Sequence, residues 1–258
     1  MALLPAKKAK IKDILKQSII NKFNKYKPES SNMPFHYRLL GKDRMALYSF
    51  IQSLNTTFGT SIYEPVVKEL ARDNFLCVET QAHPYNVIYS DAQVKIQQII
   101  NDLSTSIREP NKEQELLEIS KVNKSGTLNK VKLTKIDILL QSKSNELFLI
   151  DMKTVKPNIG ELKGLKRTML EWASTEMIRN PLSSIHTMIA IPYNPYEPEP
   201  YERWTMKGIF DVPNEVLIAE ELWDFVGGKG TYDELLDCFE IAGIELRPEI
   251  DAYFNKFK

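Results

Sequence analysis

Apolar residues recur at helical spacing early in the chain and at alternating spacing in its middle. Ile11, Ile14, Leu15, Ile19 and Phe23 share one helical stripe, which predicts a helix over 11–23. Residues 27–34 are rich in Pro, Ser and Asn and read as a loop. Further helices are predicted over 43–54, 61–72 and 91–103. Proline is tolerated in the first turn of a helix, so Pro65 places the start of the third near Ser61. Ser90 suits the N-cap of the fourth. After residue 120 the pattern changes. Val131, Leu133, Ile136, Ile138 and Leu140 predict a strand whose alternation slips near Lys135, and 146–155 predicts another. The polar stretch 142–145 between them makes the pair an antiparallel hairpin. A long helix over 161–178, a strand over 184–192, a Pro- and Tyr-rich loop, a short strand over 216–219 and helices over 232–242 and 248–257 complete the chain. The expected fold is α/β, a mixed sheet flanked by helices in a single domain. Residues 1–120 form a mainly helical part, 121–220 the sheet core and 221–258 closing helices.

With 258 residues, 43% of them hydrophobic and 26% charged, the composition is that of an ordinary globular protein. The formal net charge is zero, so bulk charge points to no polyanionic partner. Its distribution does. From Lys121 to Leu170 there are 10 Lys and 1 Arg against 2 Asp and 2 Glu, a net of +7; from Glu197 to Asp251 there are 4 basic and 15 acidic residues, a net of −11. A basic middle can face phosphates, although oppositely charged solvated faces account slightly better for the segregation taken alone. Cys77 and Cys238 both sit among apolar residues and are expected as buried free thiols. Two cysteines cannot build a four-cysteine zinc site or an iron–sulfur cluster. No apolar run has the length of a signal peptide core or a membrane span, and a cytoplasmic location is expected.

Two acids stand out because strands should not contain them. Asp137 lies between Ile136 and Ile138, and Asp151 follows Leu147-Phe148-Leu149-Ile150. Aspartate is a poor strand residue, and a buried, unpaired carboxylate is costly. A divalent cation shared by adjacent strands would compensate both. Asp151 and Lys153 are two apart and so face the same way on a strand. Mg²⁺ takes carboxylates, a backbone carbonyl, waters and a phosphate oxygen, and a neighbouring lysine can orient water or offset developing charge. The plainer alternative is a structural ion pair of Asp151 with Lys153 or Lys135.

These residues resemble the PD-(D/E)xK nuclease superfamily, with Asp137 and Asp151 matching its metal ligands and Lys153 its lysine. Ile136 stands where the superfamily's proline usually does. The segments 35–40 (Phe-His-Tyr-Arg-Leu-Leu), 58–64 (Phe-Gly-Thr-Ser-Ile-Tyr-Glu), 151–154 (Asp-Met-Lys-Thr), 193–196 (Tyr-Asn-Pro-Tyr) and 221–228 (Glu-Leu-Trp-Asp-Phe-Val-Gly-Gly) are similar to type II restriction endonucleases, nearest to a TdeIII-like group that cuts GGNCC-type sites. The resemblance implies Mg²⁺ held by Asp137, Asp151 and the Met152 carbonyl, cleavage of double-stranded DNA leaving 5′-phosphates, and a homodimer on a palindromic site. It also implies a companion DNA methyltransferase in the host. Glu64 matches an acid that many such enzymes carry on a helix near the metals, and it equally suits a helix start.

Lys156, Lys163, Lys166 and Arg167 follow the second acid and are candidates for phosphate contacts, or simply a solvated helix face. Asn194, Tyr196 and Arg203 lie in or just after the Pro- and Tyr-rich loop and are candidates for base contacts, although loop aromatics more often pack. His36, His83 and His186 have no metal-ligand spacing. Residues 227–231 lack a phosphate-loop pattern and read as the end of one helix and the cap of the next, with Thr231 as N-cap. Two other functions fit the same residues: a repair or junction nuclease of the same superfamily, and a non-catalytic DNA-binding or interaction module.

Overall fold

The computed structural model describes residues 3–26, 33–153, 159–202 and 204–257. The chain forms two compact units, one from residues 1–70 and 227–258, the other from 71–226. The helices expected together in one N-terminal half divide between these units.

In the first unit α1 (Pro5–Lys25) packs on α11 (Thr231–Glu245), with α2 (Pro34–Leu40), α3 (Lys42–Phe58), α4 (Glu64–Ala71) and α12 (Arg247–Phe254) completing it. The predicted break before Ser61 is absent. Instead α3 runs into a π-helical turn, Gly59–Tyr63, and then directly into α4, the Glu64 N–H reaching the Gly59 carbonyl. Pro65 has no N–H and its ring crowds the preceding turn; the widened turn just before it lets the helix continue. Phe23 stacks on Phe50 and on Tyr253 at centroid distances of 5.4 and 4.5 Å.

The second unit is built on a five-stranded sheet. Its strands are β1 (Cys77–Ala82), β4 (Ile136–Gln141), β5 (Glu146–Met152), β6 (Ser184–Ile191) and β7 (Val216–Ile218), in the order β1-β4-β5-β6-β7. The predicted hairpin is β4–β5, antiparallel, with β1 antiparallel on its outer side. Helix α7 (Ile159–Arg179) then carries the chain to β6, which pairs in parallel with β5, as β7 does with β6. The slip near Lys135 marks a division the pattern only hinted at. Leu128–Lys130 (β3) pairs with Val87–Tyr89 (β2) in a separate ribbon, and β4 begins at Ile136. Helices α5 (Ser90–Ser104), α6 (Lys112–Val122) and α7 cover one face of the sheet over Ile96, Ile99, Ile119, Leu149, Met169, Trp172 and Ile189, all fully buried. Short helices α8 (Trp204–Lys207) and α9 (Val212–Glu215) lead to β7, and α10 (Glu220–Gly227) follows it. Cys238 is buried as expected, but Cys77 at the sheet edge is only half-buried, and both thiols are free. The cap of α11 is Gly230, with Thr231 its first residue. Among the described residues no helix is long and apolar enough to cross a membrane.

Candidate active site

The β4–β5 register decides where the two acids meet. Ile138 faces Ile150 and Leu139 faces Leu149. One step further, past the last paired residues, Asp137 stands across from Asp151. Alternation puts both on the face that carries Leu139, Leu149 and the helix-covered core. Asp151 therefore closes the apolar row of Leu147 and Leu149, and Asp137 precedes Leu139 on the neighbouring strand.

The two carboxylates are held differently. Asp137 is half-buried, and each of its oxygens receives a donor: Gln81 Nε2 at 3.2 Å on Oδ1 and the Met152 N–H at 2.9 Å on Oδ2. A carboxylate oxygen has two lone pairs, so each oxygen keeps one for another partner. Asp151 is buried, with 8% exposure. Its Oδ1 is sealed from solvent and accepts no well-aligned hydrogen bond, while the Lys153 ammonium stands 2.7 Å away as an ion pair. Burial pushes the Asp151 carboxyl up to about 6; Lys153 pulls it down, and the charge of Asp137 adds a smaller upward push. Lys153 is fixed at its backbone by its N–H to the Ala190 carbonyl at 2.9 Å, which prolongs the β5–β6 pairing. Two carboxylates with unused lone pairs, one of them buried and under-satisfied, form a hard-oxygen donor set that suits a divalent cation. Among the described residues no group of three or more His, Cys, Asp or Glu side chains that could hold a metal ion gathers in one place.

Gln81 is the participant that sequence reasoning missed. It lies in β1, where the paired residues are Thr80 with Ile138 and Ala82 with Ile136. Its φ of 54° is left-handed, unusual for a residue with a side chain. The twisted backbone accompanies the amide contact to Asp137. Nothing in the local pattern marks this residue, because β1 itself is not predicted and the contact spans 56 positions.

The other sequence candidates scatter. Glu64 is buried at the start of α4, in the first unit. Lys156 and Arg203 lie outside the described residues. Lys166 requires a correction: it does not face phosphates. It is fully buried, 2.6 Å from both Glu115 and Glu215, with Lys112 2.9 Å from Glu215. The signal was present in the pattern, since Lys166 lies on the stripe of Leu162, Met169 and Ala173, all buried. Lys163 and Arg167 are half-buried on the same helix, and Arg167 donates to Gln97. Asn194 is not free to read a base edge: its amide nitrogen donates to the Glu199 carbonyl at 2.7 Å and its oxygen accepts from the Tyr196 N–H at 3.0 Å. The Tyr196 ring packs edge-on against Tyr201. His186 stacks on Phe148.

An apolar sheet that ends in paired acids beside a lysine has the make-up of a metal-assisted hydrolase. Comparison with known proteins specifies which. Residues 5–243 match the family described as "Type II restriction endonuclease, HinfI", and the chain belongs to that family. It is 30% identical over 254 residues to type II restriction enzyme MjaII of Methanocaldococcus jannaschii, covering 88% of this chain and 66% of that one, just under two thirds of its length. It is 25% identical over 274 residues to type II restriction enzyme HgiEI of Herpetosiphon aurantiacus, covering 97% of this chain and 98% of that one. Type II restriction enzyme HgiCII of the same organism is 26% identical over 231 residues, 84% of this chain and 80% of its own.

Proposed function

We propose that this chain hydrolyses phosphodiester bonds of double-stranded DNA at a specific sequence, with Mg²⁺ as cofactor and Asp137, Asp151 and Lys153 as its reacting centre on a PD-(D/E)xK-type core. The observation that carries the reading is the meeting of Asp137 and Asp151 across β4–β5 with the Lys153 ammonium 2.7 Å from Asp151. Asp137, Asp151 and the Met152 carbonyl would hold the metal. Bound there, Mg²⁺ supplies Lewis acidity toward the phosphate and lowers the pKa of a ligated water.

The protein groups have separate tasks. Two donors, the Gln81 amide and the Met152 N–H, hold Asp137 in place. Asp151 would serve as a ligand in its ionised form. Lys153 orients the attacking water and offsets charge growing on the phosphate oxygens. Glu64 is a further candidate acid, and Lys156, Lys163, Arg167 and Arg203 are candidate DNA contacts. The recognition site we put forward is a GGNCC-type palindrome cut by a homodimer, a reading that rests on the TdeIII-like segments and on symmetry matching. Such an enzyme would work beside a host methyltransferase that protects the same site.

Digestion of a sequenced plasmid with Mg²⁺, with EDTA, and with an Asp151→Ala variant tests the reading. Discrete Mg²⁺-dependent fragments that are absent with the variant are expected, and sequencing their ends gives the site. A Mg²⁺-dependent smear would favour a repair or junction nuclease. Uncut plasmid from folded protein across several DNA sources would favour a non-catalytic module.

A further inference from the structure

From the last turn of α6 to the start of β4 the chain places lysines at 121, 124, 130, 132 and 135, with no Asp or Glu from 121 to 135. All five are exposed. Other basic groups of this unit are matched: Arg108 bonds Glu118, and Lys112 and Lys166 share Glu115 and Glu215. Among the described residues none of the five lysines forms an ion pair.

The segment is anchored. Gly126 has a φ of 81° and lies so close to the start of α5 that a Cβ there would fall 2.1 Å from Ser90 Oγ. Ser125 Oγ donates to Asp91 at 2.6 Å, and the Thr127 N–H to Ser90 Oγ at 3.0 Å. Beyond β3, the Val131 N–H bonds the Asn86 carbonyl, and Trp172 Nε1 bonds the Thr134 carbonyl at 3.1 Å. Val131 and Leu133 pack on the core, so Lys130 and Lys132 alternate outward. At about 3.3 Å per extended residue, Lys130 to Lys135 spans at most roughly 17 Å. Lys135 stands two residues before Asp137.

We propose that residues 121–135 are the track on which the DNA sugar-phosphate backbone lies, with Lys130, Lys132 and Lys135 leading one strand to Asp137 and Asp151. The assignment rests on the catalytic reading above for its direction, and on charge complementarity for its occupant. A uniform, unpaired, positively charged edge on a fixed backbone suits a regular polyanion, and it carries no acid that would have to be neutralised first.

The test is binding of a short mixed-sequence DNA duplex in EDTA, followed by fluorescence anisotropy over a range of salt. The proteins are wild type, a Lys130→Ala/Lys132→Ala/Lys135→Ala variant, and Lys143→Ala. Lys143 is an exposed lysine in the hairpin turn, at the far end of β4 from Asp137. The triple variant should melt like wild type, bind tenfold or more weakly near physiological salt, and show a log–log salt slope shallower by about 2 to 3, roughly 0.9 for each lost phosphate contact. Lys143→Ala should leave the slope unchanged. A folded triple variant with the wild-type slope would overturn the assignment. So would a change of oligomeric state with DNA binding intact, which would make the strip a contact for an acidic protein surface. Asp151→Ala separates the two claims. It should keep the wild-type slope and lose cutting; if it still cuts, the catalytic reading fails while the strip is judged on its own slope.

Discussion

At the scale of single residues, the proposed site is two aspartates in unlike surroundings. Asp137 receives two donors; Asp151 is buried and raised to about 6 from an ordinary value near 3.8. Between these pH values the native chain holds a proton that the unfolded chain has released. By linkage, this group makes metal-free native protein lose stability as pH rises from about 4 through 6. At about 1.4 kcal/mol per unit the full effect is of order 2–3 kcal/mol. Melting curves in EDTA should show that decline, and Asp151→Asn should flatten it. A metal ligand must be ionised, so Mg²⁺ binding measured by calorimetry should tighten over the same window. Gln81 invites a second test. Gln81→Gly relieves the left-handed backbone and removes the donor to Asp137. Stability should change by no more than about 1 kcal/mol, while the Mg²⁺ needed for half-maximal cleavage should rise about tenfold or more. An unchanged Mg²⁺ requirement would make the Gln81 contact incidental.

At the scale of elements, the hairpin was legible because each of its strands sets an aspartate among apolar residues, and because a polar turn of the right length joins them. The register follows from that turn, and the register pairs the acids. The ribbon β2–β3 and the edge strand β1 were not legible. They are short, and what stabilises them lies far along the chain: β1 pairs with β4, some 60 residues on. Helix α7 was legible in extent but not in the use of its faces. Lys166 read as a surface lysine because lysines usually are; it is interior because Glu115 and Glu215 converge on it. Removing one charge from a buried network leaves its partners unpaired, so Lys166→Met should cost about 3–5 kcal/mol. Urea denaturation measures this, and a loss under 1 kcal/mol would show that Lys112 alone neutralises the group.

At the scale of the whole molecule, the chain is two compact units whose boundaries do not follow the chain's shifts in composition. The first gathers segments from both ends of the sequence, which no local pattern announces. A palindromic DNA site asks for a two-fold protein. Sedimentation with a duplex carrying the site found by plasmid digestion should therefore give two chains per duplex, and one chain per duplex would count against a symmetric cut.

The sequence alone determined the elements with strong periodicity, the α/β class, the two misplaced aspartates with their lysine, and the resemblance that led to restriction endonucleases. These are local properties, set by which side chains tolerate which backbone and by spacing along a strand. Tertiary structure decided the rest. It opposed Asp137 to Asp151, brought Gln81 to the first, raised the second by burial, drew Lys166 inside and left five lysines exposed on an anchored strip. Each of those outcomes depends on what distant segments place beside a residue, and burial and pairing change a charged side chain's energy by more than its own identity does.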